Sequence, residues 1–250
     1  MTTIPIPIGP DPVPPSAAAS ESSETGPGAG IAEILRTGEL ELIGQVRGAS
    51  NATLVCEAVL GDDSVRCVYK PVRGEQPLWD FPDGTLAGRE VSSFMVSDAL
   101  GWSVIPVTVL RDGQFGPGMV QRWIDTPEPS DSVPEHLDLV DLCPTGAIPD
   151  NFRRIIDAYD ALGEEVTLVH ADDPRLQRMA VLDLLINNAD RKGGHVLEGC
   201  DGEVYGVDHG ICMHTEDKLR TVLWGWAGEA IPAHLVADIE TLLTTLTTPT

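Results

Sequence analysis

Two short polar segments carry residues that could do chemistry. Residues 187–195 read Asn-Asn-Ala-Asp-Arg-Lys-Gly-Gly-His, and residues 205–210 read Tyr-Gly-Val-Asp-His-Gly. Each places an aspartate, Asp190 or Asp208, shortly after an apolar run, and 18 positions separate the two. One short β-hairpin between them would return both carboxylates to the same place. An aspartate beside an acceptor hydroxyl, with a second aspartate on a metal ion, is the arrangement that phosphoryl transfer needs.

The polar residues of these segments suggest a division of roles. Asp190 could orient an acceptor hydroxyl and accept its proton, and Lys192 is a candidate for contacting the γ-phosphate. Asp208 follows a predicted strand, where a carboxylate can hold Mg²⁺. His195 has two interpretations: a second metal ligand, better suited to Mn²⁺, or a structural residue that hydrogen-bonds the catalytic loop. The structural alternatives are turns or caps for the two aspartates and a solvated position for Lys192.

A lysine and a glutamate could form a buried ion pair that binds phosphate. Lys70 ends an apolar run, and a lysine in that setting is seldom buried without a partner. The candidate partner is Glu90, which shares a helix face with Leu86 and Phe94. The alternative is a surface lysine and an edge glutamate on a solvated stripe. The occurrence of both residues in this order favours the ion pair.

Two further segments could contact a nucleotide. Small residues between the first two predicted strands would let backbone N–H groups approach an anion. These residues are Gly48, Ala49, Ser50 and Asn51. The segment is not a Walker A loop, because neither a Gly-Lys-Ser/Thr motif nor a helix follows it, and a plain hairpin turn is the alternative. Chain order places a second group at the link between the two halves, where backbone groups could meet an adenine ring. This group is Gln121, Arg122 and Trp123.

Hydrophobic periodicity and turn residues predict an α+β protein with a sheet-rich first half and a mainly helical second half. The predicted strands are 40–46, 53–60, 65–72, 104–110, 118–124, 194–197 and 204–207, and the predicted helices are 31–35, 86–100, 152–162, 174–187 and 232–246. Residues 125–150 read as a connection or small insertion. Asp172 or Asp173 before Pro174 indicates a helix cap rather than a metal site with His170. The predicted organisation is a disordered tail over 1–29, an N-terminal lobe over 30–125 and a C-terminal lobe over 126–250.

The composition limits the partners of the chain. A net charge of −23 over 250 residues argues against non-specific binding to nucleic acid and against stable association with an anionic membrane. The five cysteines are odd in number and lack CxxC spacing, which favours reduced, mostly buried thiols over disulfides or structural zinc. No apolar run is long enough to cross a membrane, and the N-terminus lacks the features of a secretory signal. A cytoplasmic protein is expected.

These residues together resemble the atypical branch of the protein-kinase-like superfamily. The likeness is to the phosphatidylinositol 3- and 4-kinase group, to HipA-type serine/threonine kinases and, more narrowly, to an actinobacterial phosphatidylinositol kinase-like family. It covers about residues 31–245 and is most specific over 183–210. The resemblance implies a two-lobed kinase-like fold whose C-terminal lobe carries a catalytic β-hairpin. Asp190 matches the catalytic aspartate of the Asp-Arg-His type loop, and Asp208 the metal aspartate of the Asp-Phe-Gly type segment. Lys70 matches the phosphate-binding lysine, and Glu90 its helix partner.

The resulting expectation is an ATP phosphotransferase that uses Mg²⁺ or Mn²⁺. Its acceptor would be a protein Ser/Thr or a small soluble molecule, with a phosphatidylinositol as an alternative. The larger families place Asn, or another oxygen ligand, where His195 stands, and the lipid kinases usually place His where Lys192 stands. Because His195 replaces the usual oxygen ligand, an alternative is a pseudokinase that binds a nucleotide without turnover. A third alternative is transfer of AMP rather than phosphate.

Overall fold

The computed structural model describes residues 29–46, 51–82, 85–127 and 137–248, and these form two compact units. The first unit holds the described residues up to Gly88 together with Val107–Trp123. The second holds Arg89–Pro106 and the described residues from Ile124 onward. The predicted tail lies outside the described residues except for Ala29. None of the helices in the described ranges combines the length and apolar character needed to cross a bilayer.

The first unit is an antiparallel five-stranded sheet with one helix packed against it. Its strand order is β1-β2-β3-β5-β4. The elements are α1 Ala29–Thr37, β1 Glu39–Gln45, β2 Leu54–Leu60, β3 Asp63–Pro71, β4 Thr108–Gly113 and β5 Gly116–Arg122. A short 3-10 turn, Val72–Gly74, follows β3. The predicted meander of the first three strands is confirmed, since each pairs with the next.

The core of the first unit lies between α1 and the sheet. Leu35 of the helix is fully buried with the cross-strand neighbours Cys56 and Cys67 and with Tyr69. Burial raises the pKa of Cys67 to about 12, so this thiol stays protonated and packs as an apolar group. All five cysteines are free and four are buried, as predicted. Arg111 donates to the carbonyl oxygen of Leu35 at 3.1 Å, which satisfies one of the acceptors at the end of α1.

The second unit combines helices with a sheet that the sequence did not predict. Its elements are the larger part of α2 Leu86–Ala99, β6 Val140–Pro144, β7 Phe152–Tyr159, β8 Glu165–Ala171, α3 Pro174–Leu185, β9 Val196–Glu198, β10 Val204–Gly206 and α4 Ala233–Thr247. β6, β8 and β7 form an antiparallel sheet in that order, and β9 and β10 form the predicted hairpin. The α+β class with antiparallel sheets is therefore confirmed, but a mainly helical second half is wrong.

Helix α3 is the centre of the core of the second unit. Its residues Leu176, Met179 and Leu182 are fully buried, and Ile186 extends the same face past the helix end. Asp173 caps the helix: its carboxylate accepts the backbone N–H of Arg175 at 2.7 Å, with proline at the first helical position. The capping prediction is confirmed. This core fixes the end of α3, from which the first candidate loop departs.

The predicted helix over 152–162 is a strand. Residues Phe152–Tyr159 form β7, and the chain then turns back because the Asp160 carboxylate accepts the N–H groups of Leu162 and Glu164 at 2.8 and 2.9 Å. A register shift between Arg154 and Ile156 adds one residue to β7. The extra residue breaks the period-two alternation, so the apolar positions imitate a helical period.

The predicted strand over 104–110 begins later, at Thr108. Val104 and Ile105 are buried in the core of the second unit, where their N–H groups donate to the Ser97 hydroxyl at 3.1 and 3.3 Å. Pro106 follows and has no N–H to donate to a strand ladder. The continuous apolar run 104–110 thus contributes residues to the hydrophobic cores of both units.

A buried histidine fixes the loop that follows the candidate site. His170 of β8 donates from Nδ1 to the Ala171 carbonyl at 2.8 Å and accepts the Gly225 N–H on Nε2 at 3.0 Å. Its ring packs on Trp226, with the centroids 4.2 Å apart. Arg153 donates to the Gly225 carbonyl at 3.0 Å and lies over the Trp226 ring. Both ring nitrogens of His170 are used only if the imidazole is neutral.

We expect the stability of the protein to fall as the pH drops below about 6.5, the ordinary pKa of histidine. Burial lowers the pKa of His170, so below 6.5 the unfolded chain binds a proton that the folded chain binds less readily. The contribution of neutral His170 to the free energy of unfolding is fully present above pH 6.5. It is lost as the pH falls from 6.5 toward the lowered pKa. One such histidine can add a slope of at most about 1.4 kcal/mol per pH unit.

Urea unfolding between pH 5 and pH 8 measures this effect. His170→Gln removes the titrating ring, so its free energy of unfolding should depend less steeply on pH than that of the wild type. Burial also lowers the pKa of His195, so some slope should remain. Equal slopes for the two proteins would contradict the assignment to His170.

Candidate functional site

The first loop of the site begins where α3 ends. Asn187 adopts a left-handed backbone with a φ of 51°, which asparagine tolerates better than most residues. Its side chain donates to the carbonyl oxygens of His214 and Glu216, at 3.0 and 2.6 Å, and accepts the Lys218 N–H at 2.9 Å. Asn187 therefore ends the helix and at the same time orders residues 214–218.

Asn188 holds the backbone of the candidate catalytic aspartate. It is buried, and its amide donates to the Asp183 carboxylate at 2.9 Å while its side-chain oxygen accepts the Asp190 N–H at 3.0 Å. Asn188 thus forms an Asx-turn, whereas the structural alternative for Asp190 was a turn or cap made by Asp190 itself. The turn and the candidate function are compatible, because the turn uses the backbone of Asp190 and leaves its carboxylate half-exposed.

A buried arginine joins the two aspartate loops. The side chains of Arg191 and Asp183 are both 0% exposed, and their closest ion-pair distance is 2.8 Å. Arg191 Nε also lies 3.2 and 3.1 Å from the two Asp183 oxygens. Its Nη1 donates to the carbonyl oxygens of His195 and Val207 at 3.3 Å each, and its Nη2 lies 2.6 Å from His209 Nε2. One guanidinium thus reaches the first loop and both neighbours of Asp208.

A glycine makes room for this guanidinium. A Cβ atom on Gly206 would lie 3.0 and 3.1 Å from the two Nη atoms of Arg191. Such contacts are closer than ordinary van der Waals distances, and the guanidinium is held by its own hydrogen bonds. Gly206 pairs with Val196 across the β9–β10 hairpin, so the close approach also fixes the hairpin to the loop.

The second loop holds Asp208 in an uncommon conformation. Asp208 has a φ of 62°, and the flanking groups fix it on both sides. The Val207 carbonyl accepts from Arg191, and the His209 N–H donates to the buried Glu90 carboxylate at 2.9 Å. The Asp208 side chain is 53% exposed. The backbone is thus constrained while the carboxylate stays accessible.

Lys192 contacts the candidate catalytic aspartate directly. Its Nζ lies 2.8 Å from Asp190 Oδ2, and its side chain is 63% exposed. An exposed pair of this kind contributes little to stability. The cation can therefore leave Asp190 for an incoming anion at small energetic cost.

His195 and Asp208, the two predicted metal ligands, lie close to each other. His195 Nε2 lies 3.4 Å from Asp208 Oδ2, while the other ring nitrogen, Nδ1, is buried without a hydrogen-bond partner among the described residues. Burial lowers the pKa of His195 although Asp208 opposes the shift, so the ring is neutral at pH 7. A metal-bound histidine normally donates its second N–H to a partner, and His195 has none in the described parts of the chain. Among the described residues, His195 therefore lacks the supporting contact of a metal-bound histidine, while its Nε2 lies near the Asp208 carboxylate.

Within the described ranges, no group of three or more His, Cys, Asp or Glu side chains could hold a metal ion by itself. A magnesium ion in phosphoryl-transfer sites uses one or two carboxylates and completes its shell with phosphate oxygens and water. The Asp208 carboxylate fits that limited role. His195 as a ligand stays a prediction.

Glu90 has a partner that the sequence did not reveal. It is 2% exposed in α2, and it accepts the His209 N–H within the second unit. Lys70 lies in β3 of the first unit, half-buried and opposite Met119 of β5. The ion pair between Lys70 and Glu90 stays a prediction.

The residues of the first unit that were predicted to contact a nucleotide either lie outside the described residues or bond other parts of the chain. Nucleotide binding by them stays a prediction. Gly48, Ala49 and Ser50 lie outside the described residues, and the Asn51 side chain accepts the Gln76 N–H at 2.8 Å. The Gln121 amide donates to the Thr108 hydroxyl at 2.8 Å. The N–H groups of Arg122 and Trp123 donate to the carbonyls of Val107 and Arg66, both at 2.9 Å. An adenine ring would have to use other backbone groups here.

Sequence reasoning missed Asp183, Arg191 and His209 as members of the site. A signal for Asp183 was present: it shares a helix face with Met179 and Ile186, and a carboxylate among core residues needs a partner. Nothing in the spacing indicated which basic residue that partner would be.

Comparison with known proteins gives one clear similarity. Protein Rv2133c of Mycobacterium tuberculosis is 56% identical to this chain over 219 residues, which are 86% of this chain and 78% of the mycobacterial protein. No family model matches the chain. No solved structure matches it either.

Proposed function

The chain belongs to the family of Protein Rv2133c of Mycobacterium tuberculosis, and we propose that it is a metal-dependent ATP phosphotransferase. The γ-phosphoryl group would pass to the hydroxyl of a protein Ser/Thr or of a small molecule. The proposal includes a kinase-like arrangement of the two units and a cytoplasmic location.

The observation that carries the proposal is the connection of the two aspartate loops through Arg191. Its guanidinium bonds the residues on both sides of Asp208, while its own backbone follows Asp190 directly. Phosphoryl transfer depends mainly on positioning and on electrostatic stabilisation. A rigid frame behind two accessible carboxylates supplies positioning, whereas a purely structural ion pair would not require the aspartates to stay accessible.

The residues of the second unit would then divide the work. Asp190 holds the acceptor hydroxyl and takes its proton as the oxygen attacks the γ-phosphorus, and the bond from that phosphorus to the leaving oxygen breaks. Lys192 moves from Asp190 to the phosphoryl oxygens. Glu90 holds the backbone after Asp208, so the direction of that carboxylate is fixed. In the first unit, Lys70 would bind the phosphates.

Asp208 would hold Mg²⁺ or Mn²⁺ together with phosphate oxygens and water. A divalent ion there would neutralise charge on the phosphates. His195 would orient Asp208 through its Nε2 hydrogen. The absence of a hydrogen-bond partner for His195 Nδ1 among the described residues supports this assignment over direct ligation.

The same His195 geometry favours a second candidate, a pseudokinase that binds a nucleotide without turnover. Such a protein would keep the phosphate-binding Lys70 and the metal-binding Asp208, but it would lack a complete set of metal ligands. It would be stabilised thermally by the nucleotide, because a ligand that binds only the folded state raises the unfolding temperature.

Incubation with ATP and Mg²⁺ or Mn²⁺, followed by chromatography of the nucleotide and intact-mass measurement of the protein, tests the proposal. The expected result is ADP formation, with a phosphate-sized mass added to the chain or to an offered acceptor. An AMP-sized mass would point to adenylate transfer instead. Nucleotide-dependent stabilisation without ADP under either metal would replace the phosphotransferase with the pseudokinase.

A further inference from the structure

Arg220 lies along the first aspartate loop. Its N–H donates to the Asn188 carbonyl at 2.8 Å, and its carbonyl accepts the Arg191 N–H at 3.0 Å. Thr221 forms a parallel bridge with Arg191. These bonds hold the backbone of Arg220 beside the residues that flank Asp190.

The side chain of Arg220 is also fixed at one point. Its Nε donates to the Ala189 carbonyl at 2.6 Å, and that carbonyl belongs to the peptide bond leading into Asp190. Its terminal nitrogens have no hydrogen-bond partner among the described residues, and the residue is exposed. A guanidinium held at Nε has already lost much of its freedom, so its open fork binds an anion at a lower entropic cost.

The partners of Arg220 differ from those of three other arginines that lie partly or fully at the surface. In this acidic chain Arg153, Arg154 and Arg175 each pair with carboxylates. Arg220 makes no ion pair with a carboxylate in the described parts of the chain, and its only side-chain hydrogen bond there is to a backbone carbonyl. Lys192 provides a second exposed cation next to Asp190. One cation therefore contacts the Asp190 carboxylate and another contacts the peptide bond that precedes Asp190, in a protein of net charge −23.

We propose that Arg220 binds phosphate oxygens brought to Asp190, an inference that rests on the proposed phosphotransferase function. The two Nη groups would bind two oxygens of one phosphate in the bidentate geometry that arginine favours. The phosphate could be the γ-phosphate of the nucleotide or an anionic group on the acceptor. Both sources present the same chemistry, and binding measurements separate them.

The test uses isothermal titration calorimetry on the full chain with Mg²⁺ present. The probes are ADP, the ATP analogue with a methylene bridge between the β- and γ-phosphorus atoms, and inorganic phosphate added to the ADP-saturated protein. The variants are Arg220→Gln, which removes the charge, and Arg220→Lys, which keeps the charge without the fork. Arg154→Gln is the matched control, because Arg154 is an exposed arginine of β7 that pairs with Asp157.

If Arg220 binds the γ-phosphate, Arg220→Gln should bind the analogue about 10- to 100-fold more weakly, as expected for a lost charge-assisted bond, and should bind ADP as the wild type does. If the phosphate comes from the acceptor, ADP and the analogue should bind normally and the binding of inorganic phosphate should be lost. In both cases Arg220→Lys should show an intermediate loss and Arg154→Gln none.

Equal binding of all three probes by the wild type and Arg220→Gln would overturn the proposal. So would an equal loss for ADP and the analogue, because that result means that Arg220 only braces the loop. If the wild type binds no nucleotide, the proposed function is refuted and phosphate is titrated into the protein without ADP; a phosphate affinity that depends on Arg220 would then still support this inference. A wild type that binds none of the probes would refute both.

Discussion

Arg191→Leu is expected to lower the free energy of unfolding by about 3–5 kcal/mol, the largest stability effect of any single substitution considered in this protein. The change leaves the Asp183 carboxylate buried without its main partner. It also removes donors from the carbonyl oxygens of His195 and Val207. Urea unfolding followed by tryptophan fluorescence measures the loss.

Two further variants separate the buried pair from the general effect of losing an arginine. Arg154→Leu removes an exposed arginine that pairs with Asp157, and it should cost less than about 1 kcal/mol. The double variant Asp183→Leu/Arg191→Leu removes both charges, so it should be more stable than Arg191→Leu alone. If Arg191→Leu and Arg154→Leu have the same free energy of unfolding, the buried Arg191 does not stabilise the two aspartate loops.

Asp190→Asn is expected to lower the rate of phosphoryl transfer by about 10²- to 10⁴-fold while leaving nucleotide affinity nearly unchanged. The amide has the shape of the carboxylate but cannot take a proton from the acceptor. The loop should keep its conformation, because Asn188 holds the backbone N–H of residue 190 rather than its side chain. The rate of ADP formation and calorimetry with Mg²⁺ and ADP provide the two measurements.

Asp208→Asn is expected to lose metal-dependent nucleotide binding, whereas Asp190→Asn is expected to keep it. Asp150→Asn is a suitable control, since Asp150 is exposed and lies outside both loops. Wild-type transfer rates in both Asp190→Asn and Asp208→Asn would remove these carboxylates from the chemistry. A loss of nucleotide binding in Asp190→Asn would assign that aspartate to binding instead.

The hairpins of the first unit were predictable because their signals are local. Short turns join β2 to β3 and β4 to β5, and Gly61 takes the positive φ of 64° that the turn between β2 and β3 requires. The sheet of the second unit was not predictable in this way. β6 pairs with β8 and not with the next strand in the chain, β7, so only a long-range contact reveals it. The bulge in β7 also removed the alternation that marks a strand.

The sequence predicted the residues that line the candidate site, but it did not predict the buried residues that hold them in place. Asp190, Lys192, His195 and Asp208 follow turn-rich segments, and the structure brings them together in two pairs, Lys192 with Asp190 and His195 with Asp208. The buried frame beneath them depends on how the chain leaves α3 at Asn187. That turn brings Arg191 back onto Asp183, eight residues earlier, and no periodicity encodes the reversal.

The close approach of Gly206 to Arg191 has an evolutionary consequence. A side chain at position 206 would crowd the guanidinium, and a shorter residue at position 191 would leave that space unfilled. The residues at the two positions are therefore expected to be correlated, although 15 positions separate them in the chain. Among diverged members of the family, arginine at 191 should be found mostly with glycine at 206.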